Sequence, residues 1–148
     1  MQKVVVFIAV LVSNLILSQN SEPKQVVDDF FIGFHAKDSI ALQKVCHANM
    51  VLQTVTNAKE NSRLKTEVVS EFYKSIASIP AEVKVLEKII DYKVQIDGNM
   101  AHVWTPYEFY VNDKLSHIGV NSFTMVLEPN GEWKIVHIID TRRKKITK

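Results

Sequence analysis

Apolar side chains recur at helical spacing just after residue 21. They lie at positions i, i+1, i+4, i+5 and i+8 and form one broad stripe: Val26, Val27, Phe30, Phe31 and Phe34. Such a stripe predicts an amphipathic helix over residues 22–36. Ser21 can cap this helix, and Glu22 and Pro23 then lie in its first turn, where an acid and a missing N–H are tolerated.

Two further helices are predicted in the first half of the chain. A short one begins near Asp38 or Ser39, and a longer one covers residues 66–78 and ends before Pro80. Between them, residues 51–56 alternate and are β-branched, which favours a strand. The polar residues 57–65 are predicted to form a loop.

The period of the apolar positions changes to two from Val83 onward. Four long strands are predicted, over residues 83–97, 100–111, 115–128 and 132–143. Gly and Asn, which accept the positive φ of tight β-turns, mark the separators: Gly98-Asn99, Asn112-Asp113 and Pro129-Asn130-Gly131. Helices followed by an antiparallel meander give an α+β fold. A long twisted sheet with helices on one face closes into a cone with a cavity at its wide end.

The first 18 residues have the pattern of a secretory signal peptide. Lys3 precedes an apolar run over residues 4–18, and a polar segment follows Ser18. Cleavage after Ser18 predicts an exported protein, secreted or periplasmic, with no stable membrane insertion. An uncleaved anchor is the alternative, which is disfavoured because a spanning helix needs about twenty apolar residues.

Composition bounds the rest of the chain to one domain, over residues 19–148. The whole sequence has 148 residues, 47% hydrophobic and 23% charged, and a net charge of +2. So small a net charge predicts no strong attraction to nucleic acid. Basic residues concentrate in a C-terminal tail: Arg142, Arg143, Lys144, Lys145 and Lys148. Such a tail is typically solvated, and contact with an anionic membrane or polymer is the alternative.

Residues arranged for metal or cofactor chemistry are lacking in the sequence. Cys46 is the single cysteine, so no intramolecular disulfide can form, and its apolar neighbours predict a buried, unreactive thiol. The five histidines follow no zinc spacing, and there is no Walker loop, dinucleotide glycine pattern or nucleophile elbow. We therefore predict no metal and no cofactor.

The order of elements and four short motifs resemble those of a known superfamily. The motifs are Asp29-Phe30-Phe31, Gly131-Glu132-Trp133-Lys134-Ile135 and the segments 101–107 and 139–143. The first two, with the element order, resemble the nuclear transport factor 2-like superfamily, which includes the SnoaL-like polyketide cyclases. The last two are similar to a group within it, the "putative lumazine-binding" proteins. The resemblance implies the cone fold but no single chemistry, because this superfamily hosts isomerases, dehydratases, hydrolases, cyclases and binders without catalysis.

Strand register assigns the polar residues of the predicted sheet to its two faces. Two-residue loops give the turn pairs Asp97 with Met100, Val111 with Lys114, and Pro129 with Glu132. The same registers pair Trp104 with Asn121, Glu108 with His117, and Asn121 with Asp140. One face then collects His102, Trp104, Glu108, His117, Asn121, Phe123, Asp140 and Arg142. The other face is mainly core and includes Tyr107 and His137, although a bulge near Pro106 would shift part of the assignment.

Three explanations of the polar face remain open: a ligand cavity, the hydrogen-bonded face of a homodimer, or a solvated outer surface. Unpaired buried polar groups cost about 1–3 kcal/mol, so their clustering needs a reason. Trp104 and Phe123 argue against a purely solvated surface, since adjacent large aromatic residues are seldom left in water. His137 is expected to be a hydrogen-bonded core histidine.

We expect an exported protein that binds a small, partly apolar molecule and forms a homodimer through its sheet. In this hypothesis Trp104 and Tyr107 stack on or orient the ligand. Polar contacts come from His117, Asn121 and Asp140, and Arg142 pairs with an acidic group. The alternatives are an enzyme of isomerase, dehydratase or hydrolase type that uses Asp140 and His117 as acid and base, and a homodimeric interaction module without ligand.

Overall fold

A computed structural model of the protein describes residues 22–58 and 61–144, which form three helices and a seven-stranded sheet. The helices are α1 (Pro23–His35), α2 (Ser39–Val45) and α3 (Val69–Ala77). The strands are β1 (Cys46–Ala58), β2 (Asn61–Glu67), β3 (Val85–Ile89), β4 (Lys93–Asp97), β5 (Met100–Val111), β6 (Lys114–Leu127) and β7 (Trp133–Arg143). Their order is β2-β1-β7-β6-β5-β3, with β4 also paired to β5. The predicted cone-shaped α+β fold is confirmed.

The first two helices form where the sequence predicts them. Glu22 is the N-cap of α1 rather than a first-turn residue, and Pro23 opens the helix, where its missing N–H costs nothing. Asp38 starts α2, because its Oδ1 accepts hydrogen bonds from the N–H groups of Ile40 and Ala41 at 3.0 and 2.9 Å. Ser21 and the predicted signal peptide lie outside the described residues.

The segment predicted as a loop over residues 57–65 is in part a strand, and that prediction is wrong. Strand β2 pairs antiparallel with β1, and Leu52 lies opposite Glu67. Residues 63–66 are all exposed in β2, so an edge strand without an apolar face carries no alternating pattern. It forms because the edge of β1 offers backbone partners, and α3 therefore begins three residues later than predicted.

The single strand predicted over residues 83–97 is divided into β3 and β4. Both pair antiparallel with β5, but the register shifts by one residue between Ile89–Tyr107 and Lys93–Trp104. Pro106 lies within this interval and has no N–H to donate to a ladder, so pairing is interrupted there. The N–H of Ile90 still donates to the Pro106 carbonyl at 2.8 Å.

All three helices pack on one face of the sheet, here called the inner face. The core between them includes Val27, Leu42, Val103 and Phe123, each with no exposed surface. Strand β1 joins β7 in a parallel pair, with Thr54 opposite Asp140, a contact between distant segments that local patterns do not predict. None of the helices in the described ranges is long and apolar enough to cross a membrane.

Candidate functional site

A cavity of about 560 Å³ lies between the helices and the inner face of the sheet. Helices α1 and α3 supply one wall, and all strands except β4 contribute to the other. Seven Phe and Tyr rings line it: Phe30, Phe31, Phe34, Phe72, Tyr107, Phe109 and Phe123. Its charged and polar lining residues include Glu67, Glu71, Glu87, His117, Asn121, Asp140 and Arg142. The cavity therefore combines seven aromatic rings with polar groups from β2, α3, β3, β6 and β7.

Asp140 is the centre of the polar wall. Its Oδ1 accepts a hydrogen bond from the Thr54 hydroxyl at 2.5 Å, and its Oδ2 accepts from the Tyr107 hydroxyl at 3.2 Å and from Arg142 Nε at 2.9 Å. The Tyr107 hydroxyl also lies 2.9 Å from the Thr141 carbonyl oxygen. Three donors, from Thr54, Tyr107 and Arg142, therefore fix the position of this buried carboxylate.

Glu87 and Asn121 form a second polar pair in the cavity wall. Asn121 Nδ2 donates to Glu87 Oε1 at 2.6 Å and lies 3.3 Å from Thr105 Oγ1. The pKa of the Glu87 carboxyl is raised to about 7, mainly by burial. The Asn121 hydrogen bond and Arg142 act to lower this pKa, and the charge of Asp140 acts to raise it. Glu87 can therefore gain or lose a proton near neutral pH.

Two histidines lie near this polar wall: His117 lines the cavity, and His35 contacts the backbone of Glu87. His35 Nε2 accepts a hydrogen bond from the backbone N–H of Glu87 at 2.9 Å, and burial lowers the pKa of His35. The ring of His117 lies 4.9 Å from that of Phe109, centroid to centroid. Burial and the charge of Arg142 lower the pKa of His117. Both imidazoles are therefore neutral at neutral pH.

Solved structures show the same architecture. An NTF2-like protein of unknown function from Pseudomonas putida KT2440 has a TM-score of 0.65 at 8% identity, over 83% of this chain and 85% of that one. A "putative ketosteroid isomerase" from Parabacteroides distasonis has a TM-score of 0.60 at 18% identity, over 90% and 96%. A "putative dehydratase" from the NTF2-like family of Streptomyces avermitilis has a TM-score of 0.60 at 16% identity, over 82% and 94%. This chain has the nuclear transport factor 2-like fold. At these identities the likeness extends to the fold and not to the chemistry.

Sequence comparison adds little to this. No family model matches the chain. The RecBCD enzyme subunit RecC of Buchnera aphidicola subsp. Baizongia pistaciae is 24% identical over 120 residues, which is 71% of this chain and 10% of that protein. The chain thus corresponds to about a tenth of that subunit's length, and the nuclear transport factor 2-like architecture rests on the structural likeness.

Within this fold, five of the six predicted site residues line the cavity together: Tyr107, His117, Asn121, Asp140 and Arg142. The predicted pairing of Asn121 with Asp140 is confirmed. The turn before β7 is longer than predicted, with Leu127 rather than Pro129 as the last residue paired across it, opposite Trp133. Val136 is an extra residue of β7, between Ile135 and His137, and it restores the predicted register of Asn121 with Asp140.

Trp104 does not lie with the other predicted site residues. A bulge between Phe109 and Tyr110 makes Ser116 an extra residue of β6, so Trp104 pairs with Ser122 and not with Asn121. The same shift pairs Glu108 with Ile118, and His117 pairs instead with Phe109. Trp104 therefore lies on the opposite, outer face, 41% exposed. Its predicted place beside the ligand is a register error of one residue.

Of the two residues that were expected on the core face, Tyr107 lies there, 3% exposed, and His137 does not. Tyr107 shares the inner face with Asn121 and Asp140, and its hydroxyl contacts Asp140 and Thr141 there. His137 lies on the outer face, half-buried, with Nε2 3.1 Å from Gln53 Oε1. It is hydrogen-bonded as expected but is not a core residue.

The predicted acid–base pair of Asp140 and His117 is not assembled. Asp140 is bonded to Thr54, Tyr107 and Arg142, whereas His117 Nδ1 lies 3.1 Å from the Ser116 hydroxyl. Sequence reasoning missed Glu87, the carboxyl of this site with a raised pKa. Its only sequence signal was a charge at the inward position of an alternating strand, Val85-Leu86-Glu87-Lys88-Ile89. In the described part of the chain, no three His, Cys, Asp or Glu residues are grouped to hold a metal ion.

Proposed function

We propose that this protein binds a small, partly apolar molecule in the cavity between the helices and the sheet. One observation carries the proposal: the cavity encloses about 560 Å³ and combines aromatic walls with a few hydrogen-bonding groups. Ligand pockets have this size and composition. A purely structural core would instead be filled with side chains to the density of an organic crystal.

Each polar residue has a role in this proposal that follows from its partners. Tyr107 is held by Asp140 and Thr141 and presents its ring to the ligand. Asn121 and Glu87 offer hydrogen bonds from the wall. Arg142 keeps guanidinium donors beyond those bonded to Asp140 and Thr54.

A matched pair of cavity variants tests the proposal. Val85 lines the cavity, whereas its neighbour Leu86 is 46% exposed on the other side of β3. Val85→Phe adds bulk inside the cavity, and Leu86→Phe adds the same bulk outside. With the uncharged fluorescent dye Nile red and a heterocycle panel that includes lumazine, we expect Val85→Phe to lower affinity at least about tenfold and Leu86→Phe to leave it unchanged. Equal binding by both variants would place the ligand elsewhere.

Two polar variants test the individual site residues. Asn121→Leu removes the amide from the wall, and Asp140→Asn removes the charge that holds Tyr107 and Arg142. Unchanged affinity in both variants would remove these residues from the site. Native mass spectrometry of the purified protein adds an independent measurement, because a retained small molecule identifies the ligand class directly.

A second candidate is a cofactor-independent enzyme of isomerase, dehydratase or hydrolase type. It is favoured by Glu87, whose pKa of about 7 suits proton transfer at neutral pH. Deuterium exchange at the α-carbons of a hydrophobic cyclic ketone, 2-decalone, tests it by nuclear magnetic resonance. Exchange that is catalysed by the wild type and lost in Glu87→Gln would favour the enzyme. Exchange at the uncatalysed rate in both proteins would favour the passive binder.

Export and homodimerisation complete the proposal. Cleavage after Ser18 would produce a protein that begins at Gln19, so the mass of the protein recovered from a secreting host tests export directly. Dimerisation through the outer face is supported by the exposed Trp104 ring. No helix of the described ranges covers that face. The third reading, an interaction module without ligand, would be favoured if the wild-type protein bound none of these compounds while dimerisation persisted.

A further inference from the structure

The carboxyl groups of the cavity wall differ in whether a cationic side chain is paired with them. Three of its four carboxyl groups have a cationic partner, as the ion-pair distances show: Asp140 to Arg142 at 2.9 Å, Glu67 to Lys65 at 2.7 Å, and Glu71 to Lys74 at 2.8 Å. Glu87 has none in the described part of the chain. Its hydrogen bond comes from the neutral amide of Asn121 and reaches Oε1 alone. The uncompensated charge of the cavity is therefore a single carboxyl.

Aromatic side chains share the cavity with this carboxyl. Phe34, Tyr107 and Phe109 line the same cavity as Glu87. Phe109 is paired directly with Glu87 across β3 and β5, and Tyr107 is paired with Ile89, two residues further along β3. A ring face attracts a cation through its quadrupole, most strongly where water is excluded. Aromatic walls with one unpaired carboxyl are complementary to an apolar body that carries one positive charge.

We propose that the ligand of this cavity is a singly charged organic cation, an aromatic or alicyclic amine or a quaternary ammonium compound, whose nitrogen lies against the Glu87 carboxylate. This inference rests on the proposed ligand-binding function and names its ligand class. Arg142 does not prevent the binding of a cation, because the charge of Arg142 is already paired with that of Asp140.

Release of a proton on binding would distinguish a cationic ligand from a neutral one. Without ligand, Glu87 is only half ionised near pH 7, and a bound cation favours its charged form, so binding releases a proton. Glu87 interacts electrostatically with Asp140 and Arg142 from β7 and with Tyr107 from β5. The same cavity is lined by His117, Glu67 and Glu71, and His35 from α1 accepts a hydrogen bond from the Glu87 backbone N–H. Asp140 and Arg142 form an ion pair, burial raises the pKa of Tyr107, and burial lowers the pKa of both histidines, so Glu87 dominates the change near neutral pH.

Three probes that share one aromatic body test the inference: 1-naphthylmethylamine, 1-naphthylmethanol and 1-naphthylacetate. They differ in carrying a positive, a zero or a negative charge. We expect the amine to bind wild-type protein at least about tenfold more tightly than the alcohol at pH 8. This ratio should fall about tenfold at pH 6, where roughly a tenth of Glu87 is ionised. Calorimetry in buffers of different ionisation enthalpy should show proton release with the amine alone.

Glu87→Gln keeps the shape of the side chain and removes its charge, so the amine should lose its advantage while the alcohol binds as before. Glu82→Gln, an exposed residue outside the cavity, is the matched control and should behave like wild type. The wild-type comparison of the three probes needs no variant and stands even if Glu87→Gln fails to fold.

Two results would overturn the inference alone: equal binding of amine and alcohol at pH 8, or tightest binding of the acetate, which would assign recognition to Arg142. In both cases the cavity still binds a ligand, so the proposed function stands. Binding of none of the three at millimolar concentration would contradict the proposed function together with this inference.

Discussion

The ring of Tyr107 lies directly against the backbone of Gly119 on the neighbouring strand. The two residues are partners across β5 and β6. A Cβ at Gly119 would come within 2.7 Å of two ring carbons and would collide with the Thr141 carbonyl oxygen. This close approach lets the Tyr107 hydroxyl reach both Thr141 and Asp140. The geometry of the polar wall therefore depends on the absence of a side chain at residue 119.

Gly119→Ala is expected to destabilise the protein by about 3 kcal/mol, because the added methyl meets rigid backbone and a buried ring. Urea unfolding followed by circular dichroism measures the loss. Gly98→Ala serves as the comparison, since its Cβ would meet nothing within 4 Å and only its φ of +55° is strained, at about 1–2 kcal/mol. A smaller loss for Gly119→Ala than for Gly98→Ala would mean that the strands can separate there.

Glu87 should make stability depend on pH. Its pKa rises from 4.5 to about 7 on folding, so the folded protein binds this proton more tightly than the unfolded chain does. The stabilisation is complete below about pH 4.5 and is lost as the pH rises through about 7. The full effect is up to about 3 kcal/mol. His35 and His117 act in the opposite direction, because their lowered pKa values make stability fall as the pH falls.

Comparison with Glu87→Gln isolates the contribution of Glu87. The difference in unfolding free energy between wild type and Glu87→Gln should shift in favour of the variant as the pH rises from 5 to 8. Urea unfolding at each pH measures it, with Glu82→Gln as the charge-matched control on the surface. Parallel curves for wild type and Glu87→Gln would show that this carboxyl ionises normally in the folded protein.

Trp104→Ala should weaken self-association and leave ligand binding intact, because Trp104 is 41% exposed on the outer face and does not line the cavity. Large aromatic residues at the centre of an interface typically contribute about 2 kcal/mol or more. Analytical ultracentrifugation gives the association constant. Leu64→Ala, at a 59% exposed position of the edge strand β2, is the control. A monomeric wild type would contradict the dimer directly.

Cys46 is expected to be unreactive in the folded protein. It is buried, and burial raises the pKa of its thiol to about 11, although a hydrogen bond with Tyr73 lowers it. At pH 8 roughly a thousandth of the thiol is ionised, so 5,5′-dithiobis(2-nitrobenzoate) should modify it at least about a hundredfold more slowly than in urea. Ser78→Cys in a Cys46→Ala background places a thiol at an exposed position and should react quickly. Fast modification of native Cys46 would indicate local opening around α2 and β1.

Local periodicity was sufficient where an element has one apolar face. The stripe from Val26 to Phe34 predicts α1, and alternation predicts β5 within its observed bounds. Edge strand β2 was missed because its exposed residues carry no alternation. The division between β3 and β4 was missed because it follows from Pro106, which lies on the partner strand.

The candidate site, like the fold, was predictable from the sequence only in part. The sequence alone determined the α+β cone, the buried thiol and a concentration of polar residues on β6 and β7, because these follow from the spacing of apolar and polar positions within each element and from the order of the elements. Tertiary structure decided which of those residues meet. Side chains alternate with a period of two, so the one extra residue at Ser116 moves Trp104 away from the cavity and brings Tyr107 beside Asn121. The parallel pairing of β1 with β7 brings Thr54 to Asp140, and the packing of β3 against β5 places Glu87 beside Asn121. Those contacts join segments 34 to 86 residues apart, a distance over which no local pattern carries information.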